Sequence, residues 1–222
     1  MTPVPPNQKI YHITHVDNLS AIIAAGELRS DALLLAQGGA VATVGMGKIK
    51  ARRLGLPVKC LDGVMVGDCV PFYFGPRSVM LYLIHMRNPE LTYRGGQEPI
   101  LHLEADLREV MRWTIAEGRP WAFSRANAAA IYTEFCADLQ QFKQLDWAAV
   151  RADDWRDAGV KERKQAEFLV KDTFPWELFS VIGANSTALV ERVEAVLAQG
   201  KGDGSGNQIH RPVVEYRPTW YY

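Results

Sequence analysis

The spacing of the strand-like segments is what most constrains this chain. "KIYHITHVDNL" alternates apolar and polar residues and predicts a strand at about 9–14; "VMVGDCVPFYF" (64–74), "EPILHLEADL" (98–107), "QAEFLVKD" (165–172) and "LFSVIGAN" (178–185) predict four more. Helical patterns fall between some of them and not others. A turn at Asp17-Asn18 leads into "LSAIIAAGEL", which Gly26 should end, and a helix or helical turn follows Gly75-Pro76 through "RSVMLYLIHM". "NAAAIYTEFCADLQQF" (127–142) has helical composition, and "STALVERVEAVLAQG" is amphipathic with a glycine stop. Strict β-α alternation is missing, so the pattern predicts an α+β domain over 1–222, with a mixed or antiparallel central sheet flanked by helices rather than a doubly wound parallel one. The stretch 29–60, with glycines at 38, 39, 45 and 47 and a short helix expected around "KIKARRLG", reads as a long surface excursion of the kind that often carries function. "GKGDGSGN" (200–207) reads as a flexible loop, and "RPVVEYRPTWYY" as an extended end.

With 222 residues, 48% of them hydrophobic, the chain can bury a substantial core. Cys60, Cys69 and Cys136 are odd in number and widely spaced, which argues against a disulfide framework or a zinc finger and fits a reducing cytoplasm. "MTPVPPNQKIYHITH" lacks a basic segment followed by an apolar one, and no apolar run approaches the roughly 18 residues a membrane helix needs, so neither secretion nor membrane spanning is expected. Lys plus Arg and Asp plus Glu balance at 25 each, so any site for a polyanion must be local. Two patches qualify: "GKIKARR" (47–53) and "KERK" (161–164), each of which also reads as an ordinary solvated surface.

Several motifs fail on inspection. "GMGK" (45–48) lacks the earlier glycine and the following Ser or Thr of a phosphate-binding loop, since Ala42 and Ile49 stand there. His12 and His15 in "HITH" would lie on opposite faces of a strand with no third ligand near them in sequence, so no metal is expected. What remains is a scatter of polar residues at strand ends: His12 and Thr14, Arg52 and Arg53, Tyr73, Arg77 and Ser78, and Glu167. Most have ordinary explanations: a hydrogen-bonded histidine, a core tyrosine, an arginine paired with a surface acid. Glu167 is the hardest to dismiss, because a carboxylate within "QAEFLV" either faces solvent from an alternating strand or is held at some cost in a site.

"YHITHVDNL", "KIKARR", "DCVPFYFGPRSVMLY", "NAAAIYTEF", "KQAEFLV", "PWELFSVI" and the terminal "YY" follow one another as they do in the DarT family of DNA ADP-ribosyltransferase toxins, which the chain resembles over nearly its full length. The resemblance implies a fold like that of the poly(ADP-ribose) polymerases and NAD⁺ as co-substrate, with no metal. It also implies transfer of ADP-ribose to a thymidine base of single-stranded DNA in a short sequence context, and a DarG-like macrodomain antitoxin as partner. The chemistry would be glycosyl (pentosyl) transfer, and the label nucleotidyltransferase also attaches to it.

Residue by residue, the resemblance makes Glu167 the catalytic glutamate, able to bond the nicotinamide ribose and stabilise the positive charge that grows at its anomeric carbon. His12, Ile13 and Thr14 match the strand that holds nicotinamide and its ribose, with Asn18 nearby; Arg52, Arg53, Tyr73, Arg77 and Ser78 complete the expected NAD⁺ site. Arg53 is favoured over Arg52 as the second catalytic residue, because family members keep a cation four residues after the apolar residue that Ile49 matches. A guanidinium, with a pKa above about 12, is a poor base, so its role is better described as binding phosphate or stabilising a developing thymine N3 anion, with the proton acceptor open. Segments 29–60 and 136–166 would cover NAD⁺ and bind substrate respectively, with Trp147, Trp155, Lys161 and Lys164 as DNA contacts. Two rivals stand beside this reading: an ADP-ribosyltransferase acting on protein or RNA phosphate ends, and a non-enzymatic nucleic-acid-binding module on the same fold.

Overall fold

The computed structural model of the protein describes residues 4–199 and 210–222. Among the described residues ten strands are present: β1 Lys9–His15, β2 Glu27–Arg29, β3 Cys69–Tyr73, β4 Ile100–Asp106, β5 Trp121–Asn127, β6 Phe135–Cys136, β7 Ala166–Lys171, β8 Thr173–Pro175, β9 Phe179–Ala184 and β10 Val213–Tyr216. The helices are α1 Leu19–Ala25, α2 Asp31–Ala36, α3 Gly47–Leu54, α4 Val79–His85, α5 Leu107–Ala116, α6 Trp147–Arg151, α7 Ala158–Arg163 and α8 Thr187–Gln199. Eight strands make one sheet in the order β10-β9-β4-β1-β3-β7-β5-β6, antiparallel throughout except for the β10–β9 pair; β2 and β8 form a separate ribbon.

Strand periodicity sorts the side chains. Val70 and Phe72 of β3 and Phe168 and Val170 of β7 enter the main core, where α1, α5 and α8 contribute Leu19, Ile22, Val110, Met111, Leu189 and Val193. The alternate residues of the same two strands point the other way, and there the register sets Tyr73 opposite Glu167. Period two thus answers why an acid stands inside an apolar strand: Phe168 must face the core, so Glu167 cannot.

Local chemistry sets the ends. Gly26 closes α1 with φ 67°, a left-handed conformation that glycine adopts without strain. Ser78 caps α4, its hydroxyl accepting from the Leu81 N–H at 3.1 Å. The strand expected over 64–74 is shorter: residues 66–68 form a 3-10 turn and pairing starts at Cys69. The helix expected over 127–142 is not there; β5 runs to Asn127, tight turns follow, then β6 and a 3-10 segment at 139–144. Ala128 and Ala129 do have helical propensity, but both are buried, Ala128 among Ala122 and Leu169 of the sheet, and tertiary contact overrides it. Leu107, expected to end a strand, opens α5, and residues 108–126, for which the sequence pattern predicted nothing, form the rest of α5 and most of β5. The expected loop at 200–207 lies outside the described residues.

Candidate active site

A cavity opens where the sheet splits. β1 and β3 pair only once, at Tyr11↔Tyr73. Beyond that point Pro71 has no N–H to donate to a ladder, and its carbonyl instead accepts from the His12 ring Nδ1 at 2.9 Å. Nδ1 must carry the proton to do so, which leaves Nε2 as an acceptor. Burial lowers the His12 pKa to about 4, only partly offset by that bond, so the ring is neutral at neutral pH.

The gap is a cavity of about 330 Å³, lined by His12, Ile13 and Thr14 of β1, Pro71 and Tyr73 of β3, Asn18, Met80 of α4, and the segment from Glu27 to Arg53. Asn18 latches that segment down: its side chain accepts from the Ala42 N–H and donates to the Ala42 carbonyl, both at 2.8 Å, and also reaches Thr14 Oγ1 at 3.1 Å. Lys50 and Asp31 pair at 2.7 Å in the cavity wall.

At one end lies a buried ion pair. Arg53 projects from the last turn of α3, and its Nη1 contacts both Glu167 oxygens, Oε2 at 3.0 Å and Oε1 at 3.2 Å. Oε1 also accepts from the Ala128 N–H at 3.1 Å. Both side chains are deeply buried, 10% and 5% exposed. Burial opposes the charge on Arg53, but the Glu167 carboxylate beside it more than offsets that and raises the arginine's pKa above its ordinary value. Burial first, and then the same carboxylate, push the Tyr73 phenol up, so it stays protonated and can donate. Arg53 Nη2 is buried with no partner. A buried, unused donor beside a cavity is a place for a ligand's acceptor.

The expected site residues divide accordingly. His12, Ile13, Thr14, Asn18, Arg53 and Tyr73 line the cavity, and Glu167 is bonded to one of them. Arg52 is exposed and is not part of the lining. Arg77 and Ser78 are not in the cavity: Arg77 faces Asp153 at 3.4 Å and stacks on Tyr222, while the Ser78 hydroxyl is occupied by its cap. Trp147 is fully buried, its indole N–H donating to the Phe142 carbonyl at 3.1 Å, so it offers no face to DNA. Lys164 is also buried, its ammonium on the Val150 carbonyl at 3.0 Å and its pKa lowered by burial. Of the four residues expected to meet DNA, Lys161 is exposed and Trp155 half-buried, with the ammonium 5.7 Å from the indole centre. Sequence reasoning missed Lys50, Asp31, Met80 and the Ala128 amide; a pair 19 residues apart and a backbone N–H leave no mark in sequence. Among the described residues no cluster of three or more His, Cys, Asp or Glu could hold a metal, and no helix is long and apolar enough to cross a membrane.

Residues 11–222 match the family described as ssDNA thymidine ADP-ribosyltransferase, DarT. The chain belongs to the DarT family. A DNA ADP-ribosyl transferase of Thermus aquaticus is 42% identical over 222 residues, covering 99% of this chain and 90% of the relative. The solved structure of Thermus sp. 2.9 DarT in complex with ADP-ribosylated ssDNA superposes with TM-score 0.87 at 36% identity, covering 100% of both chains. The same Thermus DarT in complex with NAD⁺ superposes with TM-score 0.80 at 35% identity, over 99% of this chain and 100% of that one. The α+β architecture is therefore that of an ADP-ribosyltransferase, and this member of the family is an NAD-dependent DNA ADP-ribosyltransferase. The label nucleotidyltransferase is not supported, because ADP-ribosylation breaks the bond between nicotinamide and ribose and leaves the phosphoanhydride intact.

Proposed function

We propose that the cavity between β1 and β3 takes NAD⁺ with its nicotinamide ribose at Glu167, and that the ADP-ribose is passed to a thymine N3 of single-stranded DNA. The observation that carries this reading is the buried Arg53–Glu167 pair at the end of the cavity, with one arginine nitrogen unspent. In the reaction the glycosidic bond to nicotinamide breaks and nicotinamide leaves with the electron pair. A bond from N3 to the anomeric carbon forms, and the N3 proton passes to solvent. Glu167 stabilises the cationic ribose more in the transition state than in the ground state, and Arg53 stabilises negative charge on the thymine or on a phosphate. Neutral His12 and protonated Tyr73 offer an acceptor and a donor around the nicotinamide end. Lys50, released from Asp31, supplies a cation for the pyrophosphate, and the segment latched by Asn18 covers the bound dinucleotide.

A base that reacts through N3 must be free of its pairing partner, which is why single strands are the substrate and duplex would add a few kcal/mol of opening cost. Modification of this kind makes the protein a cytoplasmic toxin, and its natural counterpart a macrodomain antitoxin that removes the ADP-ribose. The test incubates the protein with NAD⁺ and matched single-stranded and duplex oligonucleotides and locates the adduct by mass spectrometry. One ADP-ribose on thymine of the single strand supports the reading. Label in protein or on an RNA phosphate end instead would overturn it.

A further inference from the structure

Glu167 stands where the β5–β7 ladder breaks, and the groups around the break hold its carboxylate. Trp121 to Phe123 pair residue for residue with Val170 to Phe168, but the next pair is Asn127↔Ala166, so β5 advances four residues while β7 moves two. Such an irregularity leaves backbone groups without ladder partners. The Ser124 hydroxyl takes up two of them, accepting from the Glu167 N–H at 3.0 Å and donating to the Ala126 carbonyl at 2.6 Å.

Past the break the chain turns on Asn127. Its side-chain oxygen accepts from the Ala129 N–H at 2.8 Å, which is an Asx turn, and its amide nitrogen donates to Gln165 Oε1 at 3.0 Å. Its carbonyl accepts from the Ala130 N–H at 2.9 Å and the Thr133 hydroxyl at 2.7 Å. The turn is thereby fastened both to itself and to the residue two before Glu167. Its product is the aim of one amide, the Ala128 N–H on Glu167 Oε1.

That amide supplies what Arg53 does not. Arg53 reaches both carboxylate oxygens through a single nitrogen, whereas two parallel bonds from a guanidinium fork would also fix the plane of the carboxylate. With Nη1 alone, the carboxylate can swing about one point; a second fixed donor on Oε1 stops it. We propose that Asn127 is a positioning residue for the catalytic carboxylate, acting through the turn that delivers the Ala128 N–H to Glu167. The inference rests on the catalytic reading of Glu167 given above. An acid that must meet charge developing at one ribose carbon works only when held within a fraction of an ångström, and that is the quantity Asn127 controls.

The test compares Asn127→Ala, Asn127→Asp, Thr133→Val and Glu167→Gln in the full-length protein. It measures transfer to a thymine-containing single strand, NAD⁺ affinity by calorimetry and the thermal midpoint. Asn127→Ala should lower kcat about ten- to hundredfold, the range expected of a misplaced catalytic group, and leave KM and NAD⁺ affinity unchanged. Asn127→Asp keeps the acceptor for the Ala129 N–H and should recover part of that loss, which a merely structural defect would not. Thr133→Val removes one support of the same turn at equal volume and should lower kcat in the same sense by less, giving a readout even if the alanine variant folds poorly. Normal kcat in Asn127→Ala would overturn the proposal, as would a loss confined to KM or thermal stability, or an aspartate variant no better than alanine. A fully active Glu167→Gln would sink the catalytic reading itself, whereas an inactive Glu167→Gln beside a normal Asn127→Ala would remove only the positioning role.

Discussion

The two faces of the β3–β7 ribbon are held together by opposite means. On one, Phe72 packs against Phe174 and Phe179 and Phe168 against Phe142, every one of them buried, and burial of apolar area does the work without needing exact angles. On the other, Tyr73 stands opposite Glu167, and the space is filled by a carboxylate and a guanidinium. Burying two charges costs several kcal/mol per ion, which the pairing must recover, so this face contributes little net stability and depends on geometry. The same strands thus separate stability from chemistry by a period of two.

The largest effect belongs to the apolar face. Phe168→Ala should cost about 3–5 kcal/mol of stability, read as a lowered denaturant midpoint, because it opens a cavity in a packed core. A loss below about 1 kcal/mol, within the range of surface substitutions, would show that this face is not the stabilising one. Next comes the arginine. Arg53→Lys, which cannot both hold the carboxylate and present a second fixed donor, should lower transfer on the order of a hundredfold, while Arg52→Ala stays near wild type. Equal losses at the two positions in steady-state assays would erase the distinction between the buried and the exposed arginine.

Acid should act on the apolar side through one group. The His12 ring packs edge-on against Phe72 at 5.9 Å, and burial lowers its pKa to about 4; burial does the same for His102. An unfolded histidine binds its proton near pH 6.5, above the folded value, so the unfolded state holds more protons between the two. Stability is therefore full above about pH 6.5 and falls as pH drops toward 4, by about 1–3 kcal/mol per histidine. Thermal midpoints across that window should fall for the wild type and less steeply for His12→Gln; identical slopes would contradict the assignment. The smallest effect is at the surface. Lys161→Ala should weaken DNA engagement by less than about 1 kcal/mol and reduce its salt slope by about one, with NAD⁺ affinity unchanged. A binding isotherm series in salt with no difference from wild type would remove Lys161 from the DNA surface.

Much of this was legible in the sequence, unevenly and for physical reasons. Glu167 stood out because an acid inside "QAEFLV" conflicts with its neighbours, and the α1 and α8 helices were announced by periodicity and glycine stops. β5 was invisible, since "WAFSRAN" shows no alternation, and the alanines after it imitated a helix although Asn127 and Thr133 turn the chain. Trp147 and Lys164 looked like DNA contacts because tryptophan and lysine often are. Their long apolar parts bury equally well when one backbone carbonyl is in reach of the polar tip, and one was in each case. The cavity itself had only an indirect signal, a proline in β3 that cannot complete a ladder.

If the polar face does chemistry and little else, Glu167→Gln should remove activity and spare NAD⁺ binding. The substitution keeps volume and leaves an oxygen to accept from Ala128 or Arg53; because it also leaves the buried Arg53 charge without its counter-ion, the thermal midpoint is read on the same preparation. Single-turnover transfer from NAD⁺ to a thymine-containing single strand, with NAD⁺ affinity measured on the same preparation, should show a rate reduced on the order of a hundredfold or more and an affinity within a few-fold of wild type. Transfer at the wild-type rate by a folded Glu167→Gln protein would contradict the account.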